Sequence, residues 1–220
     1  MFRGNLTTGR GRVAAWSDSL VMDHSFVRFV FANWAEVAPK RMYRCNHPHA
    51  WRLAAAQRKL GIKTVINLRG KRFCGSDALS REAAAKLGLH HIDMAFESRG
   101  APHKERILRF ASILETLVEP AIMHCKSGAD RTGLAAGLYL VMRGGTSADA
   151  LNQLSWRFGH WSNARTGILD AFFLLYAREA EGRIPFLDWV KTEYDEAALR
   201  RDFIAGGLSA FVVDRVLRRE

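Results

Sequence analysis

Ala121-Ile122-Met123-His124-Cys125-Lys126-Ser127-Gly128-Ala129-Asp130-Arg131-Thr132-Gly133 is the stretch that decides how this 220-residue chain reads. Pro120 breaks the chain before it, and Ala121 to His124 form a compact, largely apolar run suited to a buried strand. From Thr132 onward Leu134, Leu138 and Val141 take up helical spacing, until Gly144-Gly145 ends the pattern. A strand, a tight loop and a helix start therefore follow one another directly. A loop wrapped just before a helix turns successive backbone N–H groups inward, over the positive end of the helix, and cradles an anion without any side chain. Gly128 supplies the backbone freedom such a loop demands.

Cys125 stands at the floor of that cradle, where N–H groups and a helix start favour a thiolate, the nucleophilic form of the side chain. Arg131 lies six residues on, and its planar fork can bind two phosphoryl oxygens at once, a geometry lysine cannot reproduce. Thr132 carries a hydroxyl suited to hydrogen-bonding the sulfur as it leaves. Lys126, Ser127, Gly128, Ala129 and Thr132 are thus the expected substrate-binding positions, and His124 a supporting residue that orients the loop backbone. Nucleophile, oxyanion donors and charge clamp fall within ten residues.

With its preceding histidine, this Cys-x5-Arg-Thr loop resembles the active-site loop of the protein tyrosine and dual-specificity phosphatase superfamily. The resemblance implies a phosphoric monoester hydrolase that forms a phosphocysteine at Cys125 and releases it to water, with neither metal nor cofactor. Met42-Tyr43-Arg44-Cys45, His47-Pro48 and the run from Gly61 to Arg69 resemble the opening of compact bacterial dual-specificity-like members. Those members typically read Tyr-Arg-Ser-x-Gln-Pro; here Cys45 and His47 stand at the Ser and Gln positions. The likeness runs from Asp23 to Gly144 and leaves the last third of the chain unexplained.

The leaving oxygen needs a proton. Dual-specificity phosphatases often place the acid about thirty residues before the cysteine, and Asp93 lies 32 residues before Cys125, at the end of an expected strand. Asp130, inside the loop, is the other candidate, because some lipid-active and bacterial members carry Asp immediately before the loop arginine. The sequence leaves Asp93 and Asp130 both open, with Glu97 a nearby substitute and Ser98-Arg99-Gly100 a possible rim loop. A lysine at the Lys126 position also occurs in phosphoinositide-directed members and hints at a polyanionic substrate.

The remaining pattern predicts an α/β fold: a small sheet of about four to five strands, largely parallel, flanked by helices, with a helical C-terminal part. Strands are expected at 42–44, 64–68, 89–94 and 121–124, and helices at 48–60, 76–87 and 102–118. Residues 1–35 are expected as an N-terminal helical segment packed on the core, 36–145 as the phosphatase core, and 146–220 as a helical C-terminal part of the same domain, broken near Gly159, Gly182 and Gly206. Trp156, Phe158, Trp161, Phe172, Phe173, Phe186 and Trp189 read as helix-packing residues rather than a ligand box, and His160 likewise as a core histidine.

The composition is that of a globular protein, 48% hydrophobic and 25% charged. No run reaches the about 18 apolar residues of a membrane span, and no signal-like segment follows Met1 to Arg12. Three widely spaced cysteines, Cys45, Cys74 and Cys125, suit a reducing compartment, and a cytoplasmic protein is expected. Cys45 or Cys74 could trap an oxidised Cys125 as a disulfide. The net charge of +11 favours anionic partners: phosphorylated protein, lipid or small-molecule substrate, with peripheral contact to the inner face of an anionic membrane as a further possibility. The segment Asp18 to Trp34, with Arg28 among Phe26, Val27, Phe29, Val30 and Phe31, could lie on such a surface, although packing as a helix against the core is the commoner outcome for such a stretch. The basic residues are dispersed and no motif indicates nucleic acid. The alternative from another class is a non-catalytic phosphate-recognition module.

Overall fold

The computed structural model describes residues 5–26 and 31–206. These fall into two compact units: one holds the residues up to Ala95 with Leu117–Gly128, the other Phe96–Thr116 with those from Ala129 onward. Val27 to Val30, and the C-terminal positions beyond Gly206, lie outside the described residues.

The first unit carries the sheet. Its strands are β1 (Ala35–Ala38), β2 (Met42–Cys45), β3 (Thr64–Asn67), β4 (His90–Asp93) and β5 (Ala121–His124), in the spatial order β1-β2-β5-β3-β4. Only β1 runs antiparallel to its neighbour; β2, β5, β3 and β4 are parallel, as expected from the sequence. Every residue of β2, β3 and β5 is buried, the usual condition of strands in a parallel sheet. Tyr43, Val65 and Ile122 line one face, packed with Leu53 and Ala56 of α2 (Ala50–Leu60) and Ala83 and Ala84 of α3 (Gly75–Lys86). Gly61, at φ 67°, ends α2 in the left-handed conformation that glycine adopts without strain.

The N-terminal helix α1 (Gly9–Val21) starts at Thr8, whose side chain accepts the Gly11 N–H. It buries Ala15 and Ser19 and comes so close to α3 that a Cβ on Gly75 would sit 1.9 Å from the Ala15 carbonyl oxygen. The helix ends at Val21, and β1 was not foreseen in the sequence. A four-residue strand, one face intermediate in burial, offers no alternation long enough to register.

The second unit is helical: α4 (Lys104–Glu115), α5 (Asp130–Met142), α6 (Ser147–Gln153), α7 (Ile168–Glu179), α8 (Phe186–Thr192) and α9 (Glu196–Gly206), with short 3-10 turns at Trp156–Phe158 and Arg165–Gly167. Gly133 and Gly137 give α5 a smooth side. A Cβ at Gly133 would meet the Gln153 carbonyl at 2.7 Å, and one at Gly137 the Phe173 ring at 2.7 Å. Phe172 is fully buried, with ring centroids 5.0 Å from Tyr194, 5.1 Å from Phe173 and 5.6 Å from Trp189. Phe158, Phe172, Phe173, Phe186 and Trp189 are core residues as expected, but Trp156 and Trp161 are not: they are 81% and 69% exposed. Trp156 opens the 3-10 turn that Gly159 closes and Trp161 follows it two residues on, a setting their residue type does not announce. Among the described residues no helix is long and apolar enough to cross a membrane.

Phe172→Ala removes the ring at the centre of this aromatic cluster and is expected to cost about 3–5 kcal/mol in urea unfolding. A loss under about 1 kcal/mol would show that the cluster contributes little.

Candidate active site

β5 lies between β2 and β3, so Cys125 leaves the carboxyl end of the strand at the middle of the parallel sheet. In open α/β sheets that is where ligands bind. The loop that follows is held by its carbonyls. His47 N–H donates to the Lys126 carbonyl at 3.3 Å, Asn33 Nδ2 to Ser127 at 2.6 Å, and Arg44 Nη2 to Gly128 at 2.7 Å. In a planar trans peptide the N–H points opposite to the carbonyl it is bonded through. Tying three successive carbonyls one way therefore turns the N–H groups of Ser127, Gly128 and Ala129 the other way. The Gly128 N–H indeed donates to Cys125 Sγ at 3.2 Å. Gly128 sits at φ 80°, and a Cβ there would meet Asn46 N and Asn33 Cβ at 2.8 Å, so both its conformation and its space exclude a side chain.

The start of α5 continues the loop. Its N-cap, Ala129, offers no side-chain cap, leaving the N–H groups of the first turn to other partners. Arg131 Nε and Thr132 Oγ1 are buried there without a hydrogen-bond partner among the described residues. Two orphaned donors one residue apart are what a bound oxyanion would satisfy. Lys126 is about half exposed, with its ammonium 3.4 Å from Asp23 Oδ1. Asp23 is in turn gripped by both terminal nitrogens of Arg69, at 3.0 and 3.1 Å. Lys126 is thus paired with a carboxylate. His124 packs edge-on against His47, ring centroids 4.7 Å apart, and its carbonyl accepts the Leu68 N–H.

The two candidate acids differ sharply in surroundings. Asp93 Oδ1 accepts Arg81 Nη2 at 2.7 Å and Asn67 Nδ2 at 3.1 Å. Burial pushes its carboxyl up, but the Arg81 hydrogen bond and charge outweigh that and leave it below the usual carboxylate range. Asp130 Oδ1 instead lies 2.8 Å from His160 Nδ1, and His160 Nε2 lies 2.6 Å from Asp170 Oδ2. Ser162 Oγ donates to Asp170 Oδ1 at 3.0 Å. The His160 side chain is wholly buried. Burial pushes its imidazole down, but the hydrogen bonds to Asp130 and Asp170 and both their charges prevail, raising it to about 9. Glu97 pairs with Arg106 and His103.

Several of these residues escaped the reading of the sequence. Nothing near Arg44 in the sequence points to its role; its full burial on β2 and its bond to Gly128 give it a loop-holding part. Asn33 donates across 94 residues of sequence, a separation no motif spans. His160 sits among packed aromatics by sequence, and only the fold shows it between two acids. All three cysteines are free thiols. Cys45 is buried, and burial together with nearby Cys125 pushes its thiol up, which disfavours it as a thiolate that traps an oxidised partner.

A parallel sheet with a cysteine at the carboxyl end of its central strand, followed by a carbonyl-tethered Cys-x5-Arg loop, defines the cysteine-type phosphatase class. The family described as "PTP-SAK: Swiss Army Knife protein, DSP-PTPase phosphatase domain" matches residues 30–168, well over half of the chain, and the chain belongs to it. Tyrosine-protein phosphatase cdcA of Emericella nidulans is 32% identical over 93 residues, covering 40% of this chain and 15% of that protein. The CDC14 homolog of Schizosaccharomyces pombe is 26% identical over 84 residues, covering 37% of this chain and 14% of that protein. The chain thus spans about 15% of the length of the curated relatives it matches. Among solved structures, TpbA of P. aeruginosa superposes with a TM-score of 0.53 at 22% identity, covering 77% of this chain and 89% of that one. A putative phosphatase of Shewanella putrefaciens CN-32 gives 0.53 at 15% identity, over 71% and 95%. These two share the fold.

The raised His160 has a consequence for stability. A histidine titrates near 6.5 when unfolded, so its paired charge stabilises the fold fully below that pH and is lost as the pH rises through about 9. The thermal midpoint of the wild type is expected to fall more between pH 7 and pH 10 than that of His160→Gln. Parallel pH curves for the two would show that this charge does not contribute.

Proposed function

We propose that the chain is a metal-independent, cysteine-dependent phosphatase that hydrolyses phosphomonoesters through a phosphocysteine at Cys125. The tethered loop carries this reading: its outward-held carbonyls leave inward N–H groups over the sulfur, with Arg131 and Thr132 supplying further donors. Cys125 attacks phosphorus, Arg131 binds two phosphoryl oxygens, and Lys126, Ser127, Gly128, Ala129 and Thr132 contribute to the substrate-binding loop, with His124 supporting it. Asp130 is the acid. Asp130 sits in the loop itself and is partly exposed there, whereas the Asp93 carboxylate is taken up by Arg81 and Asn67.

Hydrolysis of an aryl phosphate in chelator is the test. Cys125→Ser is expected to abolish turnover, Arg131→Lys to lower it about 10²–10⁴-fold, and Asp130→Asn about 10²–10⁴-fold, while Asp93→Asn stays within a few-fold. Turnover that survives Cys125→Ser would overturn the cysteine mechanism. A folded wild type that binds phosphate yet turns nothing over would favour the recognition-module alternative.

The substrate is proposed to be a phosphoprotein, with tyrosine or dual specificity, or an anionic phospholipid; the charge of +11 favours either. Peripheral contact of a cytoplasmic protein with an anionic membrane is supported by exposed Trp156 and Trp161 in the same segment as exposed Arg157 and Arg165. Sedimentation with vesicles of phosphatidylserine and phosphatidylcholine is expected to pull down the wild type and lose Trp156→Ala/Trp161→Ala at least several-fold. Equal sedimentation with pure phosphatidylcholine would argue against the membrane proposal.

A further inference from the structure

The segment 155–167 is built more tightly than a connector between helices requires. Gly159, at φ 77°, closes one turn, and His160 N–H donates to the Ser155 carbonyl at 3.2 Å. Thr166 Oγ1 donates to the Trp161 carbonyl at 2.9 Å, and a Cβ on Gly167 would sit 1.8 Å from the Ser162 carbonyl oxygen. These constraints hold a single buried side chain, His160, against two carboxylates. Asp170 belongs to the first turn of α7, where the helix start favours a negative charge, and its second oxygen is occupied by Ser162. Asp130 is the first residue of α5.

Burying three ionisable side chains against one another is costly, and apolar packing would stabilise the same space as well or better. The trio is also directional. The His160 side chain is wholly buried and Asp170 nearly so, whereas Asp130 is 26% exposed. The chain of hydrogen bonds therefore runs from a helix-anchored carboxylate, through an imidazole, and meets solvent only at the aspartate of the loop. Such an arrangement fixes the orientation of its exposed end.

We propose that His160, clamped by Asp170, is the positioning residue for Asp130: it engages Oδ1 and leaves Oδ2 as the oxygen that exchanges the proton during phosphoryl transfer. This rests on the phosphatase reading with Asp130 as its acid. In the first step the Cys125 S–P bond forms, the ester P–O bond breaks, and the leaving oxygen takes the proton from Asp130 Oδ2. In the second, water bonds to phosphorus and gives its proton back to Oδ2, while the S–P electron pair returns to sulfur. His160 keeps both its protons throughout, so the sum is ester plus water giving alcohol plus phosphate.

The test compares His160→Leu, His160→Asn and Asp170→Asn, alone and with Asp130→Asn, on an aryl phosphate with a good leaving group and an alkyl phosphate with a poor one. His160→Leu is expected to lower kcat on the alkyl ester about 10–100-fold, and less on the aryl ester, with little change in KM. Asparagine places an amide N–H where Nδ1 stands and should recover several-fold of the loss. Combined with Asp130→Asn, neither His160 variant should lower the rate by more than about two-fold, since the two residues act as one unit. His160→Asn and Asp170→Asn keep a polar side chain of similar size if His160→Leu fails to fold. Losses that multiply with Asp130→Asn, or fall equally on both esters, would overturn the positioning role while leaving the phosphatase reading intact. So would wild-type rates in the His160 variants while Cys125→Ser is dead. A wild type without turnover on any phosphomonoester would remove both.

Discussion

Three hydrogen bonds onto three successive carbonyls hold the loop after β5 open as an anion cradle. Backbone N–H groups do not converge on one point by themselves, since each peptide is free to satisfy itself with the nearest acceptor or with water. Donors from His47, Asn33 and Arg44 remove that freedom by occupying the carbonyls, and peptide planarity then orients the N–H groups. The most demanding of them is Arg44, a fully buried guanidinium in the middle of a sheet. An arginine in such a place is tolerable only when it is hydrogen-bonded, and the Gly128 carbonyl is one of its partners. The charge of Arg44 and the shape of the loop thus depend on each other.

The sheet order gives this local device its position. With β5 between β2 and β3, Arg44 lies on the neighbouring β2, His47 just beyond its end, and Asn33 just ahead of β1, which pairs with β2. Gly128 is packed against the Asn46 amide and Asn33, leaving no volume for a Cβ. A preorganised cradle of this sort stabilises charge that develops on phosphoryl oxygens without reorganising at the moment of reaction.

The two aspartates illustrate how differently the fold surrounds residues of one type. Asp93, at the end of β4, is absorbed into a cluster with Asn67 and Arg81 that ties neighbouring segments of the sheet unit together. Its position relative to Cys125 in sequence matched the spacing expected of an acid, but spacing cannot report an arginine 12 residues away at the Asp93 oxygen. Asp130 meets a histidine 30 residues further on, itself backed by Asp170, and this second set of contacts leaves the loop aspartate partly exposed.

Much of the architecture was legible because it is local. Ala121 to His124 reads as a strand, Gly61 and Gly144 as helix stops, and Cys125 to Arg131 as an anion loop, since short-range patterns of apolar spacing and special backbone residues specify each of them. β1 and the outward-facing Trp156 and Trp161 were not legible, because a short edge strand has too little periodicity and a tryptophan carries no sign of which way a turn will point it. By itself the sequence determined the strand-loop-helix and the chemistry that its cysteine, glycine and arginine can perform. Only the tertiary structure decided which donors shape that loop and what surrounds each of the two aspartates. Asn33 and Ser127 stand 94 residues apart, and His160 stands 30 from Asp130, and contacts at such separations depend on how whole elements pack rather than on any neighbouring residue.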